Sequence, residues 1–460
     1  MELIGRHRER RALAAAWERS QAGDPQLAVV WGRRRVGKTY LLTDLAEGTR
    51  SVYFTATRQD SEERQLQRFT DRLREQLGET VTDLMTGPFP DWEAALRFVA
   101  RLAEHEPLLV VIDEAPRLNS AAGDFGDLVS AVWENHIRDQ SLMLVLSGSA
   151  VAVMEEMLGP HGGLHRRPSV ELRMDPFSFA DAAAFLPELN GEEFVQAYAA
   201  CGGYPLHLRR WSTGLTVEEN LAEMAFSPGG LLLRDAPDIL SEDLDWRGGY
   251  ERVLVAMSGG ARRRSRIAGR AQQRIDYTLD RLRKAGYVRQ VRPIGAHASA
   301  DPMYEIGDDY LAFWFAVLRD DADLIEGDQG QAVRHRTTGT WHKHIGRVLE
   351  SAARDHVRRM VADGDLSPDA VVGRWWQDEV AEVDVCAIGA DENPVLIGEC
   401  KWQTSAFSRR DLVDLRRKAA LIGGPDAAPL FAFWSRGGAD DLAAANDDVR
   451  SYTCDDLVAR

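Results

Sequence analysis

Two glycines five positions apart, Gly32 and Gly37, are followed at once by Lys38 and Thr39 in the stretch LAVVWGRRRVGKTYLL, Leu27 to Leu42. Residues of these types at this spacing can hold a nucleoside triphosphate. The glycines let backbone N–H groups turn inward around a polyphosphate, the lysine reaches the β- and γ-phosphates, and the threonine offers its hydroxyl to Mg²⁺. Arg33, Arg34, Arg35 and Val36 complete the loop, and Tyr40 follows in the next helical turn. That helix adds the positive end of its dipole and its free N–H groups to the anion site. The octet also occurs as a plain glycine turn. Here an apolar run (Leu27 to Trp31) precedes it and a helix follows, which is the setting a phosphate loop requires.

A second group of residues fits the same chemistry. The run Leu108 to Ile112 ends in Asp113-Glu114. An uninterrupted apolar run suits a strand buried on both faces of a parallel sheet, and such sheets place ligands at the C-terminal ends of their strands. Asp113 is then expected to hold Mg²⁺, directly or through water, and Glu114 to polarise the attacking water. Acidic residues also end strands as plain turns. Ser147 and Ser149 close the apolar run Leu142 to Leu146 on the same sheet edge, where a serine can sense the γ-phosphate or orient water; a Ser-Gly turn is the plainer alternative. His165-Arg166-Arg167, after a glycine-rich loop, could neutralise transition-state charge or be ordinary surface residues.

The C-terminal part holds another constellation. Val380 to Ile388 reads as a strand, Gly389 to Pro394 as a turn and Val395 to Trp402 as its partner. Alternation puts Glu399 and Lys401 on one face, with Gly398 and Cys400 on the other, and a hairpin can bring Asp384 beside them. A helix around His344 to Met360 contributes Glu350. Glu350, Asp384 and Glu399 as ligands, with Lys401 to position water, would make a Mg²⁺ site. This D…E-x-K pattern resembles that of the restriction-endonuclease-like nucleases; a salt-bridged surface hairpin accounts for it too.

The elements that must position these residues alternate strand and helix. After the phosphate loop come a strand at Ser51 to Phe54 and helices over Ser61–Leu77, Asp91–His105 and Phe125–Arg138, the pattern of an α/β parallel sheet. Phe179 to Phe226 turns helical around Cys201-Gly202-Gly203-Tyr204-Pro205, and Leu231 to Trp246, with Pro237 and mixed charge, reads as a linker. A helix at Tyr250–Met257, a second basic segment, a third helix at Gln272–Ala285 and a hairpin closing at Met303–Ile306 describe a winged helix-turn-helix. Between Arg262 and Arg292 there are eleven Arg and Lys against Asp276 and Asp280 alone. That concentration is the footprint of a nucleic-acid backbone, so DNA is the expected partner, although winged helices also serve as packing modules. The aromatic run Tyr310 to Phe315 reads as core. The divisions expected are a sheet core over 1–172, a helical lid over 173–245, the winged helix over 246–308, a helical linker over 309–345 and a second α/β domain over 346–460.

At 460 residues, with 44% hydrophobic and 28% charged residues, the chain is globular and holds several domains. The net charge of −16 argues against uniform coating by nucleic acid but leaves room for a local basic patch. The N-terminus lacks the apolar segment of a signal peptide, and no apolar stretch is long enough to span a bilayer. Cys201, Cys386, Cys400 and Cys454 are scattered without metal-binding spacing and read as reduced thiols in a cytoplasmic protein.

Taken together, IGRHRE, WGRRRVGKT, VVIDE, LVLSGSA, GGYP, YEIGDDYLAFWF and the segments WWQDEVAEVDV and LIGECKW resemble the archaeal-type P-loop ATPases. These are related to AAA+ and signal-transduction ATPases and carry a C-terminal domain of unknown function with nuclease-like motifs. The resemblance implies that Gly5 and Arg6 lie near the adenine, and that Pro205 sits in a helical lid packed near the nucleotide. It implies ATP and Mg²⁺ as cofactors, and no second-sensor arginine is assignable, so a homo-oligomer remains an open alternative. The expected function is an ATP-hydrolysing protein acting on DNA, with a metal-dependent nuclease-like domain. The competing expectation is a nucleotide-switched DNA-binding or regulatory protein whose last domain is catalytically silent.

Overall fold

Three strands of the first sheet are buried at every position: β1 (Gln26–Trp31), β3 (Leu108–Asp113) and β4 (Leu142–Gly148). Their unbroken apolar sequences are what a strand covered on both faces needs. The two remaining strands, β2 (Ser51–Thr55) and β5 (Val170–Arg173), alternate buried and more exposed residues and form the two edges. The order is β2-β3-β4-β1-β5 and every pair is parallel. All C-terminal strand ends therefore share one edge, with β4 seated between the strand that leads into the phosphate loop and the strand that ends in Asp113.

This computed structural model describes residues 3–458 except 79–80, 82–83, 85–86, 120–124, 138, 245–247, 296–300, 378–380 and 425–426. The expected limits at Arg138, Trp246 and Val380, and the expected division at 245/246, fall outside the described residues. The chain forms two units: Met1–Pro176 with Ile239–Trp246, and Phe177–Asp238 with Arg247–Arg460. The first contains the parallel sheet.

The second unit begins with short helices, among them Gly191–Cys201, Pro205–Arg210 and Val217–Met224. The expected linker at Leu231–Trp246 is instead a helix over Leu231–Leu244, with Pro237 inside it. Proline removes the N–H that would bond to the carbonyl four residues back. Here the Trp314 indole N–H donates to that carbonyl, Leu233 O, at 2.9 Å, and the Tyr310 hydroxyl donates to Leu232 O at 2.9 Å. Tertiary donors replace the missing local one, so the helix continues.

Helices Gly248–Ser258, Arg264–Ala271 and Asp276–Lys284 come next, followed by the antiparallel ribbon β6 (Val288–Val291) and β7 (Met303–Ile306). The third of these helices starts four residues later than expected, because Gln272 takes a left-handed conformation (φ 52°) that ends the preceding helix. Tyr310, Leu311, Phe313, Trp314 and Phe315 are all buried, as the core reading expects. A 34-residue helix, Gly330–Asp363, runs straight through the expected division at 345/346.

The last sheet is mixed, in the order β12-β11-β10-β9-β8: β8 (Val371–Gln377), β9 (Ala381–Ile388), β10 (Pro394–Lys401), β11 (Leu430–Ser435) and β12 (Val449–Tyr452). β8, β9 and β10 pair antiparallel, and β10, β11 and β12 parallel. Ile397, Phe431 and Phe433 pack with Leu412, Leu415 and Ala419 of the helix Arg409–Gly423 into one buried cluster. All four cysteines are free. Among the described residues no helix is long and apolar enough to cross a membrane.

Candidate nucleotide site and the C-terminal carboxylates

The phosphate loop is built on two glycines that no other residue replaces without strain. Gly32 has φ 147°, and a Cβ there would lie 2.0 Å from the Met174 carbonyl oxygen. Gly37 has φ 98° and caps the helix Lys38–Ala46. Lys38 is 6% exposed and its ammonium donates to Gly32 O at 2.7 Å and Arg33 O at 2.9 Å, across the concave side of the loop. Arg33 and Val36 are buried, Arg34 and Arg35 half-buried, and Tyr40 is exposed.

Across the loop stands the end of β3. Thr39 Oγ1 donates to Asp113 Oδ2 at 3.2 Å, and the Tyr53 hydroxyl donates to the same oxygen at 2.9 Å. Burial, then the Asp113 carboxylate, raise the Tyr53 phenol far above its ordinary value, so it stays a donor. No sequence motif marks Tyr53. It enters because β2 lies beside β3 with Tyr53 against Val111, and that neighbourhood is readable only once the strand order is known.

Glu114 sits in the left-handed region at φ 56°, a conformation that costs a non-glycine residue on the order of 1 kcal/mol or more. Its surroundings hold it there. Its own N–H donates to Asp113 Oδ1 at 3.0 Å, and the next N–H, of Ala115, donates to Ser147 O at 2.8 Å. Ser149 donates to Glu114 Oε2 through its hydroxyl at 2.7 Å and its N–H at 3.3 Å. Of the two serines it is Ser149, beyond the strand, that meets Glu114. Ser147 contributes its backbone carbonyl, while its hydroxyl is buried with no hydrogen bond among the described residues.

Arg6 takes a role that its sequence context does not foretell. Held at φ 57° after Gly5, it donates to Val36 O at 3.1 Å and Asp175 O at 2.6 Å and pairs with Glu9 at 3.3 Å. It thus ties the helix His7–Gln21 to the loop backbone. Arg167 pairs with Glu134. Pro205 belongs to the second unit, where it opens the helix Pro205–Arg210.

In the C-terminal sheet, Gly398 pairs with Val385, and Cys400 N–H donates to Asp384 Oδ2 at 3.0 Å. Burial first, then the Glu350 and Glu399 carboxylates, push Asp384 up to about 7. The carboxylates are therefore near one another, yet Glu350, Glu399 and Lys401 are each paired with another residue. Glu399 pairs with Lys418 at 3.0 Å, and Lys401 pairs with Asp411 at 2.6 Å. Glu350 lies 3.2 Å from Arg374 and 3.9 Å from Arg354. Among the described residues no group of three or more His, Cys, Asp or Glu is arranged to hold a metal ion. As they stand, Glu350 and Glu399 are held in ion pairs and Asp384 accepts from the Cys400 N–H, whereas the expectation has all three facing a cation. The cause is tertiary: Arg374 of β8 reaches Glu350, and Lys418 of the helix Arg409–Gly423 reaches Glu399.

Residues 6–210 match the family described as an ATPase domain predominantly from Archaea, and residues 314–413 match one described as archaeal and bacterial proteins of unknown function. An uncharacterized protein of Methanocaldococcus jannaschii is 23% identical over 440 residues, covering 94% of each chain. The Walker-type ATPase of Pyrococcus abyssi is 18% identical with a TM-score of 0.50, over 68% of this chain and 96% of that one. The ORC2 protein of Aeropyrum pernix, solved with ADPNP and ADP, is 14% identical with a TM-score of 0.46, over 72% of this chain and 95% of that one. The five-stranded parallel sheet and the glycine loop agree with the first of these matches, so residues 6–210 are a P-loop ATPase domain of this predominantly archaeal family, and residues 314–413 belong with a second family whose function is unknown.

Proposed function

We propose that this ATPase works with Mg²⁺ and acts on DNA. The observation that carries the ATP half is the 3.2 Å contact of Thr39 with Asp113, which sets a hydroxyl and a carboxylate together beside the glycine loop. Thr39 and Asp113 would hold Mg²⁺, whose charge neutralises the β- and γ-phosphate oxygens. Lys38 is the loop's mobile cation, and moving its ammonium from two carbonyl oxygens to phosphate oxygens exchanges neutral acceptors for charged ones, a stronger bond. Glu114 is the group that orients the attacking water, and Ser149 fixes the carboxylate's direction. Lys38→Ala should abolish phosphate release from ATP; release that persists at the wild-type rate would remove the assignment.

The DNA half rests on the helix–ribbon module, read as a winged helix. Arg263, Arg264, Arg274 and Arg292 line a groove of about 660 Å³ there, together with Gln273 and Gln290, against the two carboxylates of Asp276 and Asp301. Arginines and amides on one surface can bind phosphate oxygens without reading sequence. A second reading of the last domain, in which it binds without cutting, is favoured by the ion pairs that occupy Glu350, Glu399 and Lys401. Plasmid incubated with Mg²⁺ or Mn²⁺ separates the two. Products that disappear in Asp384→Ala and Lys401→Ala support a nuclease, and identical products from all three proteins support the silent reading.

A further inference from the structure

The second unit contains a cavity of about 60 Å³ between the helix–ribbon module, the long helix Gly330–Asp363 and β8. Arg262 and Arg289 line it from the module, Arg347 and Arg354 from the long helix, and Arg374 from β8. The carboxylates lining it are Glu305, Asp309 and Glu350, two fewer than the guanidinium groups. Arg289 and Arg374 each lie 3.3 Å from Glu305, and Arg374 also reaches Glu350 at 3.2 Å and Glu382 at 2.7 Å. Arg262 pairs outside the lining, with Glu382 at 3.5 Å. Arg347 makes no ion pair or hydrogen bond with any described residue, and the guanidinium groups of Arg262 and Arg374 and the carboxylates of Glu350 and Glu305 all act on it from a distance.

Two buried polar atoms in the wall also lack partners among the described residues. They are Nε of Arg374, a donor on a residue 8% exposed, and Nδ1 of His344, on a residue 2% exposed. The His344 Nε2–H donates to Ala199 O at 2.8 Å, so the ring's remaining nitrogen presents a lone pair. His344, Arg347, Ser351 and Arg354 recur at helical spacing and form one stripe of the long helix facing the cavity. Unmatched guanidinium donors beside a single bare acceptor call for an anion that also carries one hydroxyl. With Glu382, which meets both Arg262 and Arg374, five guanidinium groups face four carboxylates, and a buried guanidinium without a counter-charge is costly, so an anion of that kind would offset it.

We propose that this cavity is a binding site for hydrogen phosphate, taken either as the free ion or as a terminal phosphate of DNA. Its guanidinium groups bind the unprotonated oxygens, three on the free ion and two on a singly protonated terminal phosphate, and the His344 nitrogen accepts from P–OH. The volume admits a phosphoryl group and no nucleoside. Sulfate and internal phosphodiesters lack the proton that His344 requires.

Calorimetric titration of the full chain tests this, with all proteins carrying Lys38→Ala so that differences among them report on the cavity and not on the glycine loop. Inorganic phosphate is expected to bind, with sulfate roughly tenfold weaker, and Arg347→Ala is expected to lower phosphate affinity by roughly tenfold or more. Ser351→Ala, a milder change on the same stripe, is expected to lower it severalfold and guards against a folding defect. Competition then identifies the source. Displacement by a 5′-phosphorylated but not a 5′-hydroxyl oligonucleotide marks a DNA end, and displacement by neither marks the free ion. Phosphate affinity unchanged in both variants, or sulfate binding as tightly as phosphate, would overturn the proposal.

Discussion

Glu114 shows how a residue's strain and its chemistry are linked. Its left-handed backbone is held by Asp113, Ser147 and Ser149, and its carboxylate accepts from both the hydroxyl and the N–H of Ser149. Replacing Glu114 with Gln keeps the shape and removes the charge that polarises water. Turnover of ATP should fall by roughly 100-fold or more, with nucleotide affinity nearly unchanged. Ser149→Ala should cost less, roughly tenfold, because the serine acts only by aiming the carboxylate. A loss of binding that matches the loss of turnover would contradict both roles. His344 makes a separate prediction about stability. Burial holds its imidazole near 4 when folded, below the ordinary 6.5. The unfolded chain therefore binds the proton more readily, and the stability contributed by neutral His344 is whole above pH 6.5 and is lost as pH falls toward 4. Denaturant titrations from about pH 7 to about pH 5 should show a decline in wild type that is smaller in His344→Gln.

Among the elements, the helix Leu231–Leu244 carries the sharpest test, because a proline inside it is supported from outside. If the Trp314 indole substitutes for the missing amide, Trp314→Phe leaves Leu233 O without that donor and should cost about 1–3 kcal/mol. In a Pro237→Ala background the restored N–H of residue 237 can take the same carbonyl, so the same substitution should cost less. Equal costs in the two backgrounds, measured by denaturant unfolding, would mean that the indole's contribution is packing alone. This helix also marks a limit of sequence reading. Proline is a sound punctuator when only local bonds are available, and the donor that overrules it is 77 residues away. Elements carried by continuous local signals are legible: β1, β3 and β4 as unbroken apolar runs, the glycine loop, and the β9–β10 hairpin. The edge strands β5, β8 and β12 are short or alternating and carry no such signal. At the sites, Lys38, Thr39, Asp113 and Glu114 can be placed from motif and strand polarity. Tyr53 cannot, since it depends on strand order. Nor can the pairing of Glu399 with Lys418 and of Lys401 with Asp411, which depends on how the helix Arg409–Gly423 lies on the last sheet.

For the whole molecule the governing quantity is the distribution of charge. The chain carries a net −16, so any DNA it holds must be held locally against a repulsive background. The eleven basic residues of Arg262–Arg292 are not equivalent in the folded protein. Arg262 and Arg289 line the enclosed cavity, Arg264 pairs with Asp276 and Lys284 pairs with Asp280, while Arg263, Arg264, Arg274 and Arg292 share the open groove. Reversing the groove arginines (Arg264→Glu, Arg274→Glu and Arg292→Glu together) should abolish duplex binding at low salt. Milder Arg→Ala changes at the same three positions should weaken it and flatten its salt dependence, by roughly 0.9 in the slope of log K against log salt for each phosphate left without its arginine. Arg289→Ala, on the cavity side, should leave that slope as it is on a duplex with 5′-hydroxyl ends, which offers the cavity no terminal phosphate. Duplex binding untouched by the triple reversal would show the module to be a packing element, whereas an equal change in slope from Arg289→Ala and the groove substitutions would mean that the DNA backbone meets the cavity side as well as the groove.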